Sequence, residues 1–320
     1  MSKLYMGVDL GGTNIVAGVV DEAGVILCKK SVKTLLPKPE SQIEQDIYEL
    51  CLGLCEANGY DIKNDIISIG VGTPGAVNSQ KGLVSSNVNF GYKNWEITEH
   101  LKSLFNKPVY VENDANAAIV AEVMAGSAAG CKDAVIVTLG TGIGGGVFID
   151  GKVFSGHNFA GTEVGHMVIE VGGRQCNCGR KGCFERYASA AALTRDTKAA
   201  MEKNKDSLMW QICPEIEKVN AKTAFDGMRL KDKIATELVD NYINYLACGI
   251  VNIINIFQPQ VLCLGGGVSG EKEYLTAPLQ KIIDREDFAY NVESRTKITI
   301  AKFRNDAGII GAAMLGVNNA

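Results

Sequence analysis

The 320-residue sequence has few basic residues, two tryptophans and no apolar run long enough to cross a bilayer. Its 32 lysines and arginines are outnumbered by 36 aspartates and glutamates, which gives a formal net charge of −4. Binding to nucleic acid requires a basic surface that neutralises phosphates, so this balance argues against a nucleic-acid partner. The longest apolar run, residues 246–257, is interrupted by asparagines, and we expect a buried helix there rather than a membrane span.

We also expect no secretory leader in the residues that follow Met1, because no basic flank precedes an apolar core there. Ten cysteines in a chain without such a leader are typical of a reducing compartment rather than of a disulfide framework, so we expect a cytoplasmic protein. Seven cysteines lie among apolar neighbours, and we expect them to be small core residues: Cys28, Cys51, Cys55, Cys131, Cys213, Cys248 and Cys263.

Glycine, in contrast, is abundant, and it separates short β-type runs. Residues 4–9, 15–20 and 25–29 are such runs, joined by the turns GGTN and DEAG, so we predict an antiparallel meander. A second glycine-rich meander repeats the first, since Leu10 aligns with Leu139 and Asp21 with Asp150. This repetition predicts two lobes built on one plan, with a cleft between them.

Strands and helices alternate through the rest of the chain. Apolar residues at helical spacing predict a helix that ends before Gly59, and a buried strand follows in DIISIGVGTPG. The strand in KPVYVEND leads into the alanine-rich helix ANAAIVAEVMAG. A further strand in FQPQVLCLGGGVS runs into a triple-glycine turn, and NDAGIIGAAMLG predicts a last helix. The pattern is that of an α/β protein.

The segment GTGIGG, residues 140–145, satisfies the G-x-G-x-x-G pattern of dinucleotide-binding folds, and Glu163 follows at about the expected distance. That fold requires the glycines to open a helix, whereas here they lead into a β-type run with an Asp-Gly turn. The context therefore argues against a dinucleotide site. The sequence also contains no G-x-x-x-x-G-K-[ST] phosphate loop.

Two matched turns, DLGGTN and LGTGIGG, each follow the first strand of a meander. Backbone N–H groups in glycine turns can surround phosphate oxygens, since no Cβ blocks their approach. Thr13 and Thr141 add hydroxyl donors, and Asp9 stands where it could hold a Mg²⁺-bound water. Either turn alone is equally explained as a tight hairpin, but two copies favour phosphate binding.

A dense C-x-C-x₄-C spacing is formed by three cysteines: Cys176, Cys178 and Cys183. Three thiolates need one further ligand to complete a tetrahedral structural zinc site. His166 lies upstream across a β-like stretch, and His100 and His157 are the only other histidines in the sequence. Reduced free thiols without a metal are the alternative.

Seven segments together resemble the ROK family of sugar kinases: DLGGTN, GVGTPGAV, ENDANAA, LGTGIGGG, EVGH, CNCGRKGCFE and LGGGVS. The resemblance runs from about residue 4 to about residue 316. It implies an α/β, two-lobed actin/hexokinase/Hsp70-like ATPase fold with duplicated mixed sheets and a central cleft. The smaller lobe would comprise residues 1–114 and about 301–320, and the larger lobe residues 115–300.

Within the family, the resemblance is greatest to bacterial glucokinases, which implies transfer of the γ-phosphoryl group of ATP to the 6-hydroxyl of glucose. Asp114 of ENDANAA would be the general base and Asn113 a ligand of the sugar hydroxyls. Phosphoryl transfer depends mainly on positioning and charge stabilisation, with a carboxylate accepting the proton of the attacking hydroxyl. From the residues alone, Asn113 or Asp114 could also cap the helix that begins near Ala115, and the two roles are compatible.

The resemblance also implies the remaining site residues. The sugar contacts are Gly75, Asn89, Asn113, Asp114, Glu163, His166 and Glu185, with Asn87 left open as an alternative to Asn89. The ATP contacts are Asp9, Gly11, Gly12, Thr13, Asn14, Thr141, Gly142, Gly265, Gly266 and Gly267. The zinc ligands are His166, Cys176, Cys178 and Cys183, and the zinc ion would fix Glu163 and Glu185 for the sugar. ATP with Mg²⁺, together with structural Zn²⁺, are the expected cofactors.

Other members of the family leave alternatives open. Kinases for N-acetylmannosamine, fructose, allose or N-acetylglucosamine share the pocket pattern, so glucose is an expectation drawn from resemblance. Sugar-responsive repressors carry an N-terminal helix-turn-helix arm, for which we see no room before Gly11. An actin-like or Hsp70-like ATPase acting on protein partners is disfavoured by the zinc-braced glutamates. A homodimer or higher homo-oligomer is expected.

Overall fold

The computed structural model describes residues 3–87 and 90–317 as an alternation of strands and helices. The strands are β1 (Leu4–Leu10), β2 (Asn14–Asp21), β3 (Ile26–Lys33), β4 (Ile66–Thr73), β5 (Ala76–Asn78), β6 (Leu83–Asn87), β7 (Tyr92–Trp95), β8 (Val109–Asn113), β9 (Ala134–Leu139), β10 (Ile143–Ile149), β11 (Lys152–Val153), β12 (Val261–Gly265) and β13 (Lys297–Ile300). The helices are α1 (Glu40–Ala57), α2 (Ile97–Phe105), α3 (Asp114–Ala125), α4 (Glu185–Ala188), α5 (Ala190–Lys203), α6 (Met209–Ile212), α7 (Ala221–Arg229), α8 (Lys233–Phe257), α9 (Glu273–Glu286) and α10 (Ala307–Val317). The predicted α/β class is confirmed.

The first sheet has the strand order β3-β2-β1-β4-β8. Strands β1, β2 and β3 pair antiparallel, as the short glycine turns between them predict. Strand β4 is parallel to β1, and β8 is parallel to β4. The carboxyl ends of β1, β4 and β8 therefore meet at one edge of the sheet, which is where ligands bind in sheets of this type.

The second sheet has the order β11-β10-β9-β12-β13 and repeats the order of the first. Strands β10 and β11 form the antiparallel hairpin at the Asp150-Gly151 turn, and β12 pairs parallel with β13. The duplicated mixed sheets expected from the resemblance are thus confirmed. A small antiparallel sheet, β5-β6-β7, follows β4 along the chain.

The chain divides into two compact units. The first comprises Met1–Ala134, Gly146–Thr162 and Lys302–Ala320, and the second comprises Val135–Gly145 and Glu163–Ala301. This division differs from the predicted boundary after residue 114, because α3 packs extensively against α10 and therefore belongs to the first unit. The predicted lobe bounds, after residue 114 and near residue 301, stay predictions.

Glycines allow α10 to lie almost in contact with the backbone of the first sheet. A Cβ added at Gly7 of β1 would lie 1.9 Å from the carbonyl oxygen of Ile309, and one at Gly70 of β4 would lie 1.8 Å from that of Ala312. Real Cβ atoms do not approach backbone this closely, so no larger residue fits at either position. This packing fixes the start of α10 beside the carboxyl end of β1.

The apolar segment at residues 246–257 forms the second half of α8, as expected, and most of it is buried as far as Ile254, whereas Ile256 is exposed. No helix within the described part of the chain is long and apolar enough to traverse a bilayer. All ten cysteines are free thiols. Of the seven expected in the core, Cys51, Cys55 and Cys263 are buried, whereas Cys28, Cys131, Cys213 and Cys248 are only partly buried.

Candidate active site

The carboxyl edge of the first sheet brings together side chains that are far apart in sequence. Asp9 of β1 is in register with Gly72 of β4, and Thr73 of β4 is in register with Asn113 of β8. Asp114 follows Asn113 as the first residue of α3. Three of the predicted site segments, DLGGTN, GVGTPG and ENDANAA, therefore meet at this edge.

Asn113 is the N-cap of α3. Its Oδ1 accepts hydrogen bonds from the backbone N–H groups of Ala115 at 2.9 Å and Asn116 at 3.2 Å. Its Nδ2 donates to the carbonyl oxygen of Gly75 at 3.0 Å, which ties the end of β8 to the loop after β4. The capping interpretation is thus confirmed for Asn113, and its role as a sugar ligand stays a prediction.

Asp9 and Asp114 form a pair of carboxylates in a desolvated environment. Burial, and then the neighbouring charge of Asp114, raise the pKa of Asp9 from 3.8 to about 6. Burial also raises the pKa of Asp114, and hydrogen bonds from backbone N–H groups at the start of α3 oppose this rise. Among these, the N–H of Ala115 donates to Asp114 Oδ1 at 2.8 Å. The site therefore favours proton uptake by carboxylates, which suits a general base.

Asp9→Asn is expected to make the ligand-free protein more stable at neutral pH. Because folding raises the pKa of Asp9, its ionised form costs folding free energy above pH about 6, and this cost is absent below 3.8. The shift corresponds to about 1–3 kcal/mol, or a rise in Tm of about 2–5 °C. Thermal unfolding from about pH 4 to about pH 8 tests this, since the difference between the two proteins should vanish toward the acid end. An asparagine variant less stable than wild type at the alkaline end would contradict it.

Two close approaches shape the surroundings of these carboxylates. A Cβ added at Gly308, near the start of α10, would lie 2.7 Å from Oδ2 of Asp9. Gly75 has a φ of 110°, and a Cβ there would lie 2.3 Å from the carbonyl oxygen of Ser86. Gly308 was not among the predicted site residues, although the small-residue pattern of NDAGIIG is the signal that marks it.

The loop after β6, which is predicted to contact the sugar, is described in part. Asn87 is buried, its Nδ2 donates to the carbonyl oxygen of Pro74 at 2.7 Å, and its Oδ1 accepts from the N–H of Phe90 at 3.2 Å. These bonds give Asn87 a structural role in this loop. Asn89 lies outside the described residues, and its assignment as a sugar contact stays a prediction.

The first glycine turn, Gly11–Asn14, is an open hairpin turn. The N–H of Gly11 donates to the carbonyl oxygen of Asn14 at 2.9 Å, and the hydroxyl of Thr34 donates to the carbonyl oxygen of Gly11 at 2.6 Å. Gly12 and Thr13 are exposed, and a Cβ at Gly12 would meet nothing within 4 Å. The buried Thr34 thus supports the turn through Gly11, the tip is exposed, and phosphate binding there stays a prediction.

In the second unit, the matching turn lies beside a predicted sugar ligand. Gly140 donates its N–H to the carbonyl oxygen of Gly142 at 3.1 Å, and Thr141 is exposed at the tip. A Cβ at Gly142 would lie 2.5 Å from Oε2 of Glu185. The turn predicted to bind phosphate and the glutamate predicted to bind sugar are therefore neighbours, as a phosphoryl transfer site needs.

The triple-glycine turn follows β12. Gly265 ends the strand, and Gly266 has a φ of 79° and lies so close to β9 that a Cβ would be 2.5 Å from the carbonyl oxygen of Leu139. Gly267 is exposed with open space around it. Gly266 is thus required by the backbone, and the adenosine contact of the turn stays a prediction.

The four predicted zinc ligands converge into one Cys/His cluster: His166, Cys176, Cys178 and Cys183. One ligand atom from each lies within 4.8 Å of all the others. Cys178 Sγ and Cys183 Sγ are 3.5 Å apart, and Cys176 Sγ is 3.7 Å from His166 Nδ1. A tetrahedral zinc with bonds of about 2.0–2.3 Å needs ligand atoms separated by roughly 3.3–3.8 Å, so the donor set and spacing fit Zn²⁺.

Both predicted sugar glutamates of the second unit adjoin this cluster. Glu163 immediately precedes a single 3₁₀ turn, Val164–His166, and its carbonyl oxygen accepts from the N–H of His166 at 3.0 Å. Glu185 Oε1 lies 3.1 Å from Cys176 Sγ and 3.8 Å from His166 Nδ1. A metal held by the cluster would therefore fix the positions of both glutamates.

The structure adds supporting residues that the motifs did not single out. Glu112 is buried behind Asn113, and its Oε1 accepts from the N–H of Asn113 at 2.8 Å and from Nδ2 of Asn116 at 3.0 Å. Burial raises the pKa of Glu112. Asn116 Nδ2 also donates to Ser155 Oγ at 3.2 Å. The only sequence signal for this network was the polar composition of ENDAN ahead of an apolar helix.

Comparison with known proteins relates nearly the whole chain to one family. The sequence matches the ROK family over residues 5–318. A glucokinase of Thermotoga maritima is 36% identical over 320 residues, which cover 98% of this chain and 98% of that protein. The crystal structure of a ROK family glucokinase from Streptomyces griseus in complex with glucose and AMPPNP has a TM-score of 0.83 at 31% identity, and the match covers 98% of this chain and 99% of that one. A xylose repressor of Caldicellulosiruptor bescii is 29% identical over 261 residues, which are 79% of this chain and 63% of the repressor.

Proposed function

The chain belongs to the ROK family and has the actin/hexokinase-like ATPase fold, and on that premise we propose that it is an ATP-dependent glucose kinase. It transfers the γ-phosphoryl group of ATP to the 6-hydroxyl of glucose, with Asp114 as general base. The observation that supports this most strongly is the placement of Asp114 beside Asp9 at the carboxyl edge of the first sheet, where burial raises the pKa of both carboxylates. The glucokinase of Thermotoga maritima and the glucose bound by the Streptomyces griseus enzyme favour glucose as the hexose.

In this proposal Asp114 accepts the proton of the 6-hydroxyl as the new P–O bond forms and ADP departs. A base is effective when its pKa is not far below the working pH, so desolvation of Asp114 promotes proton transfer. Hydrogen bonds from the start of α3 hold its carboxylate in one orientation. Asn113 and Gly75, joined by a hydrogen bond, present the neighbouring polar groups to the sugar.

The resemblance assigns the remaining sugar contacts to three residues of the second unit. Glu163, His166 and Glu185 would hydrogen-bond the ring hydroxyls, and the Cys/His cluster would hold Zn²⁺, which supplies no chemistry but orients these side chains. The two glycine turns would hold the phosphates of ATP, and the turn Gly265–Gly267 would lie against the adenosine. Asp9 would hold Mg²⁺ through a water, and the ion held there would supply charge neutralisation at the phosphates.

Selectivity among hexoses is tested by measuring ADP release with ATP and Mg²⁺ on glucose, mannose, fructose, allose, N-acetylglucosamine and N-acetylmannosamine. We expect kcat/KM for glucose to exceed that for each other sugar by at least about 10-fold, because polar groups left unpaired by the wrong epimer cost about 1–3 kcal/mol. A higher kcat/KM for another hexose would refute glucose as the substrate but would still support a hexose kinase. Release of ADP with none of these sugars would refute the kinase proposal.

The match to a xylose repressor makes sugar-dependent gene regulation the second candidate, with much weaker support. The formal net charge of −4 disfavours binding to DNA. The cytoplasmic location and the homo-oligomer stay predictions, and the ten free thiols favour a reducing compartment.

A further inference from the structure

The three cysteines of the Cys/His cluster lie on or next to a short hairpin, residues 174–182, which we call the cysteine hairpin. The N–H of Gly182 donates to the carbonyl oxygen of Arg174 at 2.8 Å, and the N–H of Cys176 donates to that of Arg180 at 2.9 Å. Arg174 therefore stands at the base of the hairpin, whereas the predicted metal ligands Cys176 and Cys178 stand on one arm and at its tip. The base of the hairpin is therefore held by interactions other than those of the thiolates.

Tyr187 of α4 holds the base. Its hydroxyl oxygen accepts a hydrogen bond from the backbone N–H of Arg174 at 2.6 Å. Its ring is buried, and the guanidinium of Arg174 lies over it at 4.7 Å from the centroid. The ring of Tyr245 packs against it with centroids 4.7 Å apart. Gly173 makes the close approach possible, since a Cβ there would lie 2.1 Å from the tyrosine oxygen.

The side chain of Arg174 adds further bonds that involve no thiolate. Its Nη1 donates to Asp196 Oδ2 of α5 at 2.8 Å and to the carbonyl oxygen of Arg186 at 3.2 Å. That carbonyl also accepts from Arg195 Nη2 at 3.0 Å. The base of the cysteine hairpin is thus attached to both α4 and α5 through groups outside the Cys/His cluster.

Helix α4 carries Glu185, the sugar ligand that also adjoins the second glycine turn. Its neighbour Phe184 is fully buried against α8, where a Cβ at Gly249 would lie 2.3 Å from the Phe184 ring. Two residues beyond Glu185, Tyr187 makes the contact with Arg174. Glu185 therefore lies between Phe184, which is buried in the core, and Tyr187, which contacts the cysteine hairpin.

We propose that Tyr187 is a positioning residue for the hexose: a brace, independent of the metal, that fixes the cysteine hairpin to α4 and so holds His166 and Glu185 at the spacing that the sugar requires. The proposal rests on the proposed kinase function for its kinetic consequences only. Zinc would hold the thiolate side of the hairpin, and Tyr187 holds its base. The contact of Tyr187 with the base should therefore slow the release of zinc, and bound zinc should stabilise that contact.

The test compares Tyr187→Phe with wild type as full-length, zinc-loaded proteins. The phenylalanine ring keeps the stacking but cannot accept the N–H of Arg174, and a lost acceptor loosens the base. We expect the KM for glucose to rise about 5- to 20-fold, with the KM for ATP within about twofold and kcat within about threefold, a loss of sugar binding without loss of chemistry. Zinc release to a colorimetric chelator should be about fivefold faster or more, with one zinc per chain retained at the outset.

Tyr245→Phe is the matched control, because Tyr245 belongs to the same pair of packed rings, and its hydroxyl donates to Glu170 Oε2 at 3.1 Å on the exposed surface. It should leave the KM for glucose and zinc release near wild type. Unchanged zinc release and unchanged KM in Tyr187→Phe would overturn the proposal, and so would an equal rise in both KM values with a lowered Tm. Were no hexose a substrate, zinc release would still decide the brace, with faster release supporting it and wild-type release refuting it.

Discussion

Asp114→Asn should lower kcat by about 10²–10⁴-fold, the usual contribution of a general base, while the protein stays folded and binds glucose within about fivefold of wild type. Folding is preserved because the asparagine Oδ1 can still accept the N–H of Ala115. The neutral amide also avoids the cost of burying a charge, the same cost that raises the pKa of Asp114. Steady-state ADP release gives kcat, and calorimetric titration with glucose gives the affinity.

Asp21→Asn is the matched control for this change. Asp21 is a carboxylate of the same unit whose Oδ1 accepts N–H bonds from Ala23 and Val25 in a surface turn, and an amide oxygen can replace it. It should keep wild-type kcat. A wild-type rate in Asp114→Asn would refute the base assignment. A residual rate that keeps the acid limb of the wild-type pH profile would place the titrating group on another residue.

Cys178→Ser should remove zinc and raise the dissociation constant for glucose by about 10- to 100-fold, the range found when the support of a site is lost, while the KM for ATP changes by less than about threefold. Cys178 is the exposed thiol of the Cys/His cluster, so its replacement leaves the core packing around Cys176 and Cys183 intact. Metal analysis of the purified protein and titration with glucose are the measurements.

Cys213→Ser serves as the control, because Cys213 is a partly buried thiol of the same unit whose Sγ donates to the carbonyl oxygen of Glu215, a bond that serine can also make. It should keep zinc and glucose affinity. Full zinc content in Cys178→Ser would refute its role as a ligand. An equal loss of affinity for glucose and ATP would indicate general unfolding instead of a local effect on Glu163 and Glu185.

The strands and turns of the fold were predictable because they depend on neighbours in the chain. Alternating apolar residues and the turns GGTN and DEAG predicted the meander β1-β2-β3, and the repeat of Leu10 and Asp21 at Leu139 and Asp150 predicted the second sheet. The unit boundary was not predictable from these patterns. From the sequence, we expected helix α3 to begin a new lobe after Asp114. In the structure, α3 packs against α10, near the C-terminus, and belongs to the first unit.

Some residues of the candidate site were likewise predictable from the sequence, and others were not. The three cysteines of the Cys/His cluster were predicted from their compact spacing, whereas His166 and Asp114 were predicted from the resemblance to the family. The network behind Asn113, formed by Glu112, Asn116 and Ser155, gave no such signal, since each residue type is common and the contacts span separate elements. Tyr187 was missed for the same reason, since the sequence does not distinguish an isolated tyrosine beside a motif from an ordinary core residue.

The sequence by itself determined which segments become strands, helices and glycine turns, and which residue types could bind metal or phosphate, because those properties are local. The tertiary structure alone decided which of them meet. The packing of the strands buries Asp9 and brings it beside Asp114, so that burial, and then the neighbouring charge, raise the pKa of the Asp9 carboxyl to about 6. Close packing brings Gly142 against Glu185, and Tyr187 against the base of the cysteine hairpin. These contacts join residues distant in the chain, so they depend on the packing of whole elements, which no local pattern encodes.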